Sequence, residues 1–385
     1  MNIFKRSLLL TAGLLTTVIA HAQVPELINN PDFRPDAKAA VDSIYNFNFD
    51  GADKVLSPWK EEYPDHPLWG LVDGMKFWWQ ILSDLENTEH DDAFIEMMKK
   101  ANYQAGKLLH RQSSHADALL IQAIANGYIG RQYSNREEWI SSLNYARKAM
   151  KAYEKLGQLY PDMADLKLAE GLKLYYAAYL PEEYPVVKTV SWFLPDGNKE
   201  KGLEKLREAA ESGIFARAEA TYFLGNINFN YEHNYSAAVD RFEELTERYP
   251  QNNYYVRLLV KTYYNMRRYN EALDFIGDAL ERWRTHTLPY QTILEGELLV
   301  WKGRILERKK QPQKALDSYR KSYRRIQELS NPGERSFGVI AAYGAGHMLY
   351  EQEKFSEAKK YLHKAEEADA APQYREKAAN LLSKM

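Results

Sequence analysis

The chain has 385 residues, with 51 Lys and Arg against 53 Asp and Glu, 45% apolar residues and no cysteine. Acids and bases are mixed along its length without an extended basic stripe, which removes the electrostatic footprint of a general nucleic-acid binder. The missing cysteines exclude disulfides, thiol chemistry and lipid attachment to an N-terminal cysteine.

Taken in chain order, residues 1–22 read as a secretory signal peptide. Lys5 and Arg6 form a basic start, Leu8 to Ala20 an apolar stretch, and Ala20-His21-Ala22 a cleavage triplet that leaves Gln23 first. Beyond it, no segment has the roughly 20 apolar residues of a membrane-spanning helix. The expected location is therefore the periplasm or the exterior. Residues 23–40, with Pro25, Pro31 and Pro35, read as an extended leader. Almost everything after them has helical periodicity. Helices are expected from near Val41 to Tyr63, His66 to Leu85, Ala93 to His110, Ala116 to Arg131 and Asn135 to Leu159, with an acidic turn at Glu86 to Asp92. Tyr63-Pro64, Tyr160-Pro161 and Tyr249-Pro250 each read as a helix end, because proline cannot continue a helix in register.

The last third repeats itself. Ala238 and Ala272 are 34 residues apart in matching surroundings, a period typical of paired-helix solenoids. Gly225, Ala238 and Leu245 form one set of small or packing positions, and Val260, Ala272 and Ala279 the next. Gly303, Ala315 and Ser322, then Gly346, Ala358 and Ala365, continue it after intervals of 43 residues, as if a helix or linker were lengthened by nine. Small residues at these places let the two helices of a unit approach closely.

Residues Arg217 to Ala370, and more loosely Val41 to Leu85, thus resemble the tetratricopeptide-repeat superfamily. That resemblance implies an all-α, right-handed α-solenoid of antiparallel helix pairs. The middle of the chain, from Gly171-Leu172 through Leu180-Pro181 and Asp196-Gly197-Asn198 to Gly202-Leu203 and Ser212-Gly213, resembles the eukaryotic tetratricopeptide-repeat-39 and inclusion-body-clearance family. This chain has Asp-Gly where that family has Gly-Asp. The implied plan is a diverged N-terminal half at 41–215 with a Pro-rich hinge at 180–198, followed by a repeat array at 216–385.

Reactive chemistry is sparse. No His-Glu-x-x-His, phosphate-binding glycine loop or Gly-x-Ser-x-Gly elbow is present. His90 beside Glu89, Asp91 and Asp92 reads as a solvated acidic turn, since zinc sites converge three or four ligands. No cofactor, metal or catalytic residue is expected. The resemblance instead implies a concave face lined by Tyr222, Asn226, Phe229 and Asn230, then Arg257, Lys261 and Tyr264, then Trp301 and Arg304, then Tyr343 and His347. Such a face suits a protein or peptide partner: cations pair carboxylates, amides bond extended backbone and rings cover apolar side chains. The superfamily's clamp for chaperone C-termini is not reproduced: Asn226 fits it, but Tyr222, Leu258, Glu297 and Trp301 do not. Two alternatives stand beside this scaffold reading. One is a helical enzyme or small-ligand binder with its site between the halves, near Trp192, Asp196 and the acidic turn. The other is peripheral membrane association through the apolar stretch Pro185 to Pro195.

Overall fold

The computed structural model describes residues 24–183, 196–285 and 291–385. These hold seventeen α-helices and no strand. The first seven are α1 Phe33–Tyr45, α2 Phe49–Glu62, α3 Leu68–Ser83, α4 Asp91–Arg111, α5 Ala116–Asn135, α6 Trp139–Leu159 and α7 Lys167–Glu183. After the undescribed 184–195 come α8 Lys199–Ser212, α9 Arg217–Asn230, α10 Tyr235–Arg248, α11 Asn253–Asn265 and α12 Tyr269–Arg284. The last five are α13 Thr292–Arg308, α14 Pro312–Ile326, α15 Ser336–Glu351, α16 Phe355–Glu366 and α17 Pro372–Leu382. Consecutive helices pack as antiparallel pairs that stack into a solenoid, as the repeat spacing predicts.

The small positions act as expected. Ala238, Ala272, Ala315 and Ala358 are fully buried between the helices of their pairs. A Cβ on Gly303 would stand 2.6 Å from the Tyr319 ring, so the close crossing of α13 and α14 needs glycine there. The stretch from Ala315 to Ala358 gains its extra length in the linker between α14 and α15, which contains the short 3₁₀ turn Pro332–Glu334. The three Tyr-Pro ends are alike: the backbone N–H of Tyr63, Tyr160 and Tyr249 donates to the carbonyl four residues earlier at 2.8, 2.9 and 2.9 Å, and proline follows. Asparagine starts several helices. Asn48, Asn198, Asn234 and Asn252 accept N–H groups of the first turn at distances of 2.8–3.3 Å.

Two expectations need correction. Residues 23–40 are not wholly an extended leader, because α1 starts at Phe33. Pro35 lies in its first turn, where a missing N–H costs nothing, and Phe33, Ala37, Ala40 and Ile44 bury one helical face. The strap before it carries a 3₁₀ turn, Leu27–Asn29. Asp117 accepts the N–H groups of Leu27 and Ile28 at 2.6 and 3.0 Å, and Glu26 accepts that of Ala116 at 2.9 Å. Helix α6 starts at Trp139 rather than Asn135, because Glu137 takes a left-handed conformation (φ 60°) that reverses the chain. At the hinge, α7 runs past Pro181 to Glu183, while the apolar stretch Pro185 to Pro195 lies outside the described residues.

The Glu137 conformation recurs. Phe47, His233, Arg267, Lys310 and Glu353 have φ of 51–58° in the turns α1–α2, α9–α10, α11–α12, α13–α14 and α15–α16. None is glycine, so each turn carries strain that no sequence signal marks, on the order of 1 kcal/mol. Exposed Lys310 is the cleanest place to relieve it. Lys310→Gly should raise the urea midpoint, whereas Lys310→Val should lower stability by about 1–2 kcal/mol; both are read by equilibrium unfolding followed by circular dichroism.

Candidate concave surface

The N-terminal half does not simply precede the array; it packs against it from α9 as far as the start of α15. A continuous buried cluster runs from Leu27 and Phe33 through Trp78 and Trp79 to Tyr254, Trp283 and Ile326. At the end of α3, the Trp79 ring meets Tyr45, Tyr254 and Tyr255 at centroid distances of 5.0, 6.2 and 5.6 Å. Buried beside them, Glu219 of α9 accepts hydrogen bonds from the hydroxyls of Tyr45 (2.9 Å) and Tyr128 (2.8 Å) and pairs with Arg131 at 3.3 Å. The Arg131 guanidinium lies 4.9 Å from the rings of both Trp78 and Tyr222. Burial, with the Glu219 charge second, pushes both tyrosine pKa values well above their usual range, so both hydroxyls keep the protons they donate.

The residues read as a groove divide accordingly. Tyr222 is buried at the joint, its hydroxyl 3.2 Å from that of Tyr254. Arg257 is also turned inward: it donates to the Ser83 carbonyl at 3.0 Å and lies 2.8 Å from a Glu297 oxygen, a close charge contact rather than an aligned hydrogen bond. Glu297 is buried, which raises its pKa against the opposing pull of Arg257. Nearby, Asp84 pairs with Arg335 at 2.5 Å and Glu86 accepts the N–H of Ser336 at the start of α15. The acidic turn is thus a docking point for the array.

Of the rest of the expected face, Asn226, Asn230, Lys261, Tyr264, Arg304, Tyr343 and His347 keep some exposure, whereas Phe229 and Trp301 are buried and the Trp301 indole N–H donates to Glu297 at 3.4 Å. Asn226 and Asn230 bond to each other at 2.7 Å. Lys261 is partly exposed, with its amine 4.8 Å from the Phe229 ring centre. Burial depresses its pKa, opposed by Glu297, a carboxylate already held by Arg257. Tyr264 then meets Trp301 at 5.1 Å, and the Arg304 guanidinium lies 4.8 Å from the Trp301 ring and 5.7 Å from Tyr374. Tyr343 stacks on His347 at 5.8 Å. Repeat arithmetic missed Tyr374 because it belongs to α17, beyond the last copy. An aromatic and cationic ladder therefore crosses α11, α13, α15 and α17.

A separate cleft of about 260 Å³ opens between the halves, lined by Ser83, Asp84, Asn87, His90, Gln291 and Ile293 among others. Among the described residues, no group of three or more acidic or histidine side chains is placed to hold a metal. No described helix is long and apolar enough to cross a membrane.

Residues 258–286, the end of α11 and all of α12, match the family model described as a tetratricopeptide repeat. No curated protein matches the chain. Yeast Tom70 is similar at 13% identity and a TM-score of 0.45, over 92% of this chain and 82% of that one. Human IFIT1, solved as a dimer with PPP-AAAA, is similar at 14% and 0.43, over 92% and 73%. A tetratricopeptide repeat protein from Parabacteroides merdae ATCC 43184 is similar at 14% and 0.33, over 80% and 97%.

His347 supplies a test of the ladder's electrostatics. Its Nδ1 is 3.6 Å from Glu307 and its Nε2 3.8 Å from Glu351, and the Glu307 contact, opposed by burial, raises its pKa above 6.5. Folding therefore favours the protonated ring. This contribution is complete below about pH 6.5 and is lost as pH rises through the elevated value. Titration of the imidazole by NMR should place its midpoint above that of an unstructured histidine, and Glu307→Gln should bring it down.

Proposed function

We propose that this chain is an exported, non-enzymatic repeat scaffold that holds an extended, acidic peptide segment of a protein partner on the open part of its concave face. The observation that carries the reading is the series of partly exposed Lys261, Tyr264, Arg304, Tyr343 and His347 across successive helix pairs, with the buried Trp301 ring in contact with Tyr264 and Arg304. Lys261 is partly buried, which depresses its pKa, and an incoming carboxylate would pull that pKa back up. Arg304, beside the Trp301 and Tyr374 rings and donating to the Tyr374 hydroxyl, is held in place with N–H groups left to meet a carboxylate. Asn226 and Asn230 offer the amide groups not used in their mutual bond to extended backbone. The helix-pair architecture and the repeat match support a binding role, and the signal-like first 22 residues support export. The resemblance of the Leu180-Pro181 to Gly213 region to the tetratricopeptide-repeat-39 family extends to the domain plan alone.

Tyr222 and Arg257 do not belong to this surface, because they hold the halves together. The alternative of a small ligand between the halves rests on the 260 Å³ cleft. Its acidic group, Asp84, is already neutralised by Arg335, which favours the scaffold reading.

A photo-reactive aromatic residue placed at exposed Asn230 tests the assignment in the exporting cell. Irradiation should yield discrete protein adducts in the exported fraction, and Lys261→Ala with Arg304→Ala should deplete them at least about tenfold. Undiminished adducts in that double variant, or adducts to RNA in place of protein, would overturn it.

A further inference from the structure

Helix α6 carries an apolar patch that its own chain leaves uncovered. Trp139 is 63% exposed, Ile140 81% and Leu143 50%, all within the helix's first five residues. Of the side chains on this 21-residue helix, Ala152 and Leu156 are the buried ones. It packs along α5, where Tyr145 stacks on Tyr133 at 5.5 Å. Its contacts with the next pair come from its second half, through the Lys173–Glu154 ion pair at 2.7 Å and through Leu156 against Leu166. The first half therefore overhangs the solenoid.

The charges around the patch are ordered. Glu137 and Glu138 precede it; Arg147, Lys148 and Lys151 follow it, and all five are exposed. None of them forms an ion pair among the described residues. Glu138 accepts only a long bond from Ser141 at 3.4 Å, and Lys148 rests over the Tyr145 ring at 4.5 Å. Leu143 stands five residues from Glu138 and five from Lys148, about 7.5 Å along the axis in either direction. An acid–apolar–base order with equal arms becomes its own complement when reversed. Ile140, Asn144, Arg147 and Lys151 share one helical stripe, so the apolar centre and the basic arm face the same way.

We propose that this face of α6 is the docking surface for a second copy of the chain. Two α6 helices cross antiparallel near Leu143, burying Trp139, Ile140 and Leu143 of both copies, with Glu137 and Glu138 of each copy meeting Arg147 and Lys148 of the other. Such an isologous contact closes after two copies and does not propagate. An anionic membrane surface fits less well, because the acidic arm would face the headgroups. A contact centred on one helix is at the small end of interface sizes, so dissociation on the order of 10–100 µM is expected.

Analytical ultracentrifugation of the mature chain from about 1 to 300 µM tests this directly, a range that brackets the expected dissociation constant. Wild type should show a reversible monomer–dimer equilibrium. Leu143→Glu should weaken it about tenfold or more, as should Glu137→Lys with Glu138→Lys, and separately Arg147→Glu with Lys148→Glu. Mixing the two charge-reversed variants should restore association as a heterodimer, which a general loss of fold cannot do. Their melting temperatures should match wild type, since every altered side chain is exposed. A wild-type monomer throughout the range, a dimer indifferent to these changes, no recovery on mixing, or a monomer that floats with anionic vesicles through Trp139 would each overturn the proposal.

Discussion

The carboxylate of Glu219 is the point on which the architecture turns. A regular solenoid is held together by nearest neighbours, so each pair of helices knows only the pair before and after it. Here Tyr45 reaches Glu219 across 174 residues of sequence, and Tyr128 and Arg131 reach it from α5. A carboxylate so deeply enclosed is tolerable only with a cation and donors in place, and all three are supplied by the other half of the chain. Around it the contact is apolar: Trp78 and Trp79 bring ring area, while Asn252 donates to the Tyr45 carbonyl at 2.6 Å and satisfies backbone that packing would otherwise strand.

This closure divides the concave face. Near the joint, tyrosine and arginine side chains of the array are engaged with the N-terminal half: Arg257 donates to the Ser83 carbonyl, Arg335 pairs with Asp84, and Glu86 accepts the N–H of Ser336. Farther along, from Lys261 to Tyr374, comparable side chains find partners within the array itself: Trp301 donates to Glu297, Arg304 donates to the Tyr374 hydroxyl, and His347 faces Glu307. The same residue types thus join the two halves near Glu219 and line a partly exposed face beyond it. The distinction comes from long-range packing and not from their positions within a repeat.

That difference sets how much was legible in the sequence. Small residues at Ala238, Ala272, Ala315 and Ala358 announce helix pairs because ring-lined crossings admit nothing larger, and Tyr-Pro marks helix ends through local backbone chemistry. Both effects act within one unit. By contrast, α1 was hidden by Pro35, whose effect depends on whether it falls in a first turn. The left-handed turn residues were invisible because Phe47, Arg267 and Lys310 carry no glycine signal. Glu219 reads as an ordinary polar helix position, since the residues that bury it lie far away in sequence. Repeat arithmetic placed Lys261, Tyr264, Trp301, Arg304, Tyr343 and His347 on one surface, but had no means of finding that Tyr222 and Arg257 face inward or that Tyr374 completes the ladder.

If the Glu219 joint makes two halves into one body, unfolding must report it. The most direct measurement is urea unfolding of wild type and Arg131→Met, followed in parallel by tryptophan fluorescence, which senses Trp78 and Trp79, and by far-ultraviolet circular dichroism, which senses all helices. Coincident single transitions in wild type, with stability lowered by about 3–5 kcal/mol in the variant because Glu219 is left buried without its cation, are the predicted result. Two separated wild-type transitions, with the array's transition unmoved by Arg131→Met, would contradict it.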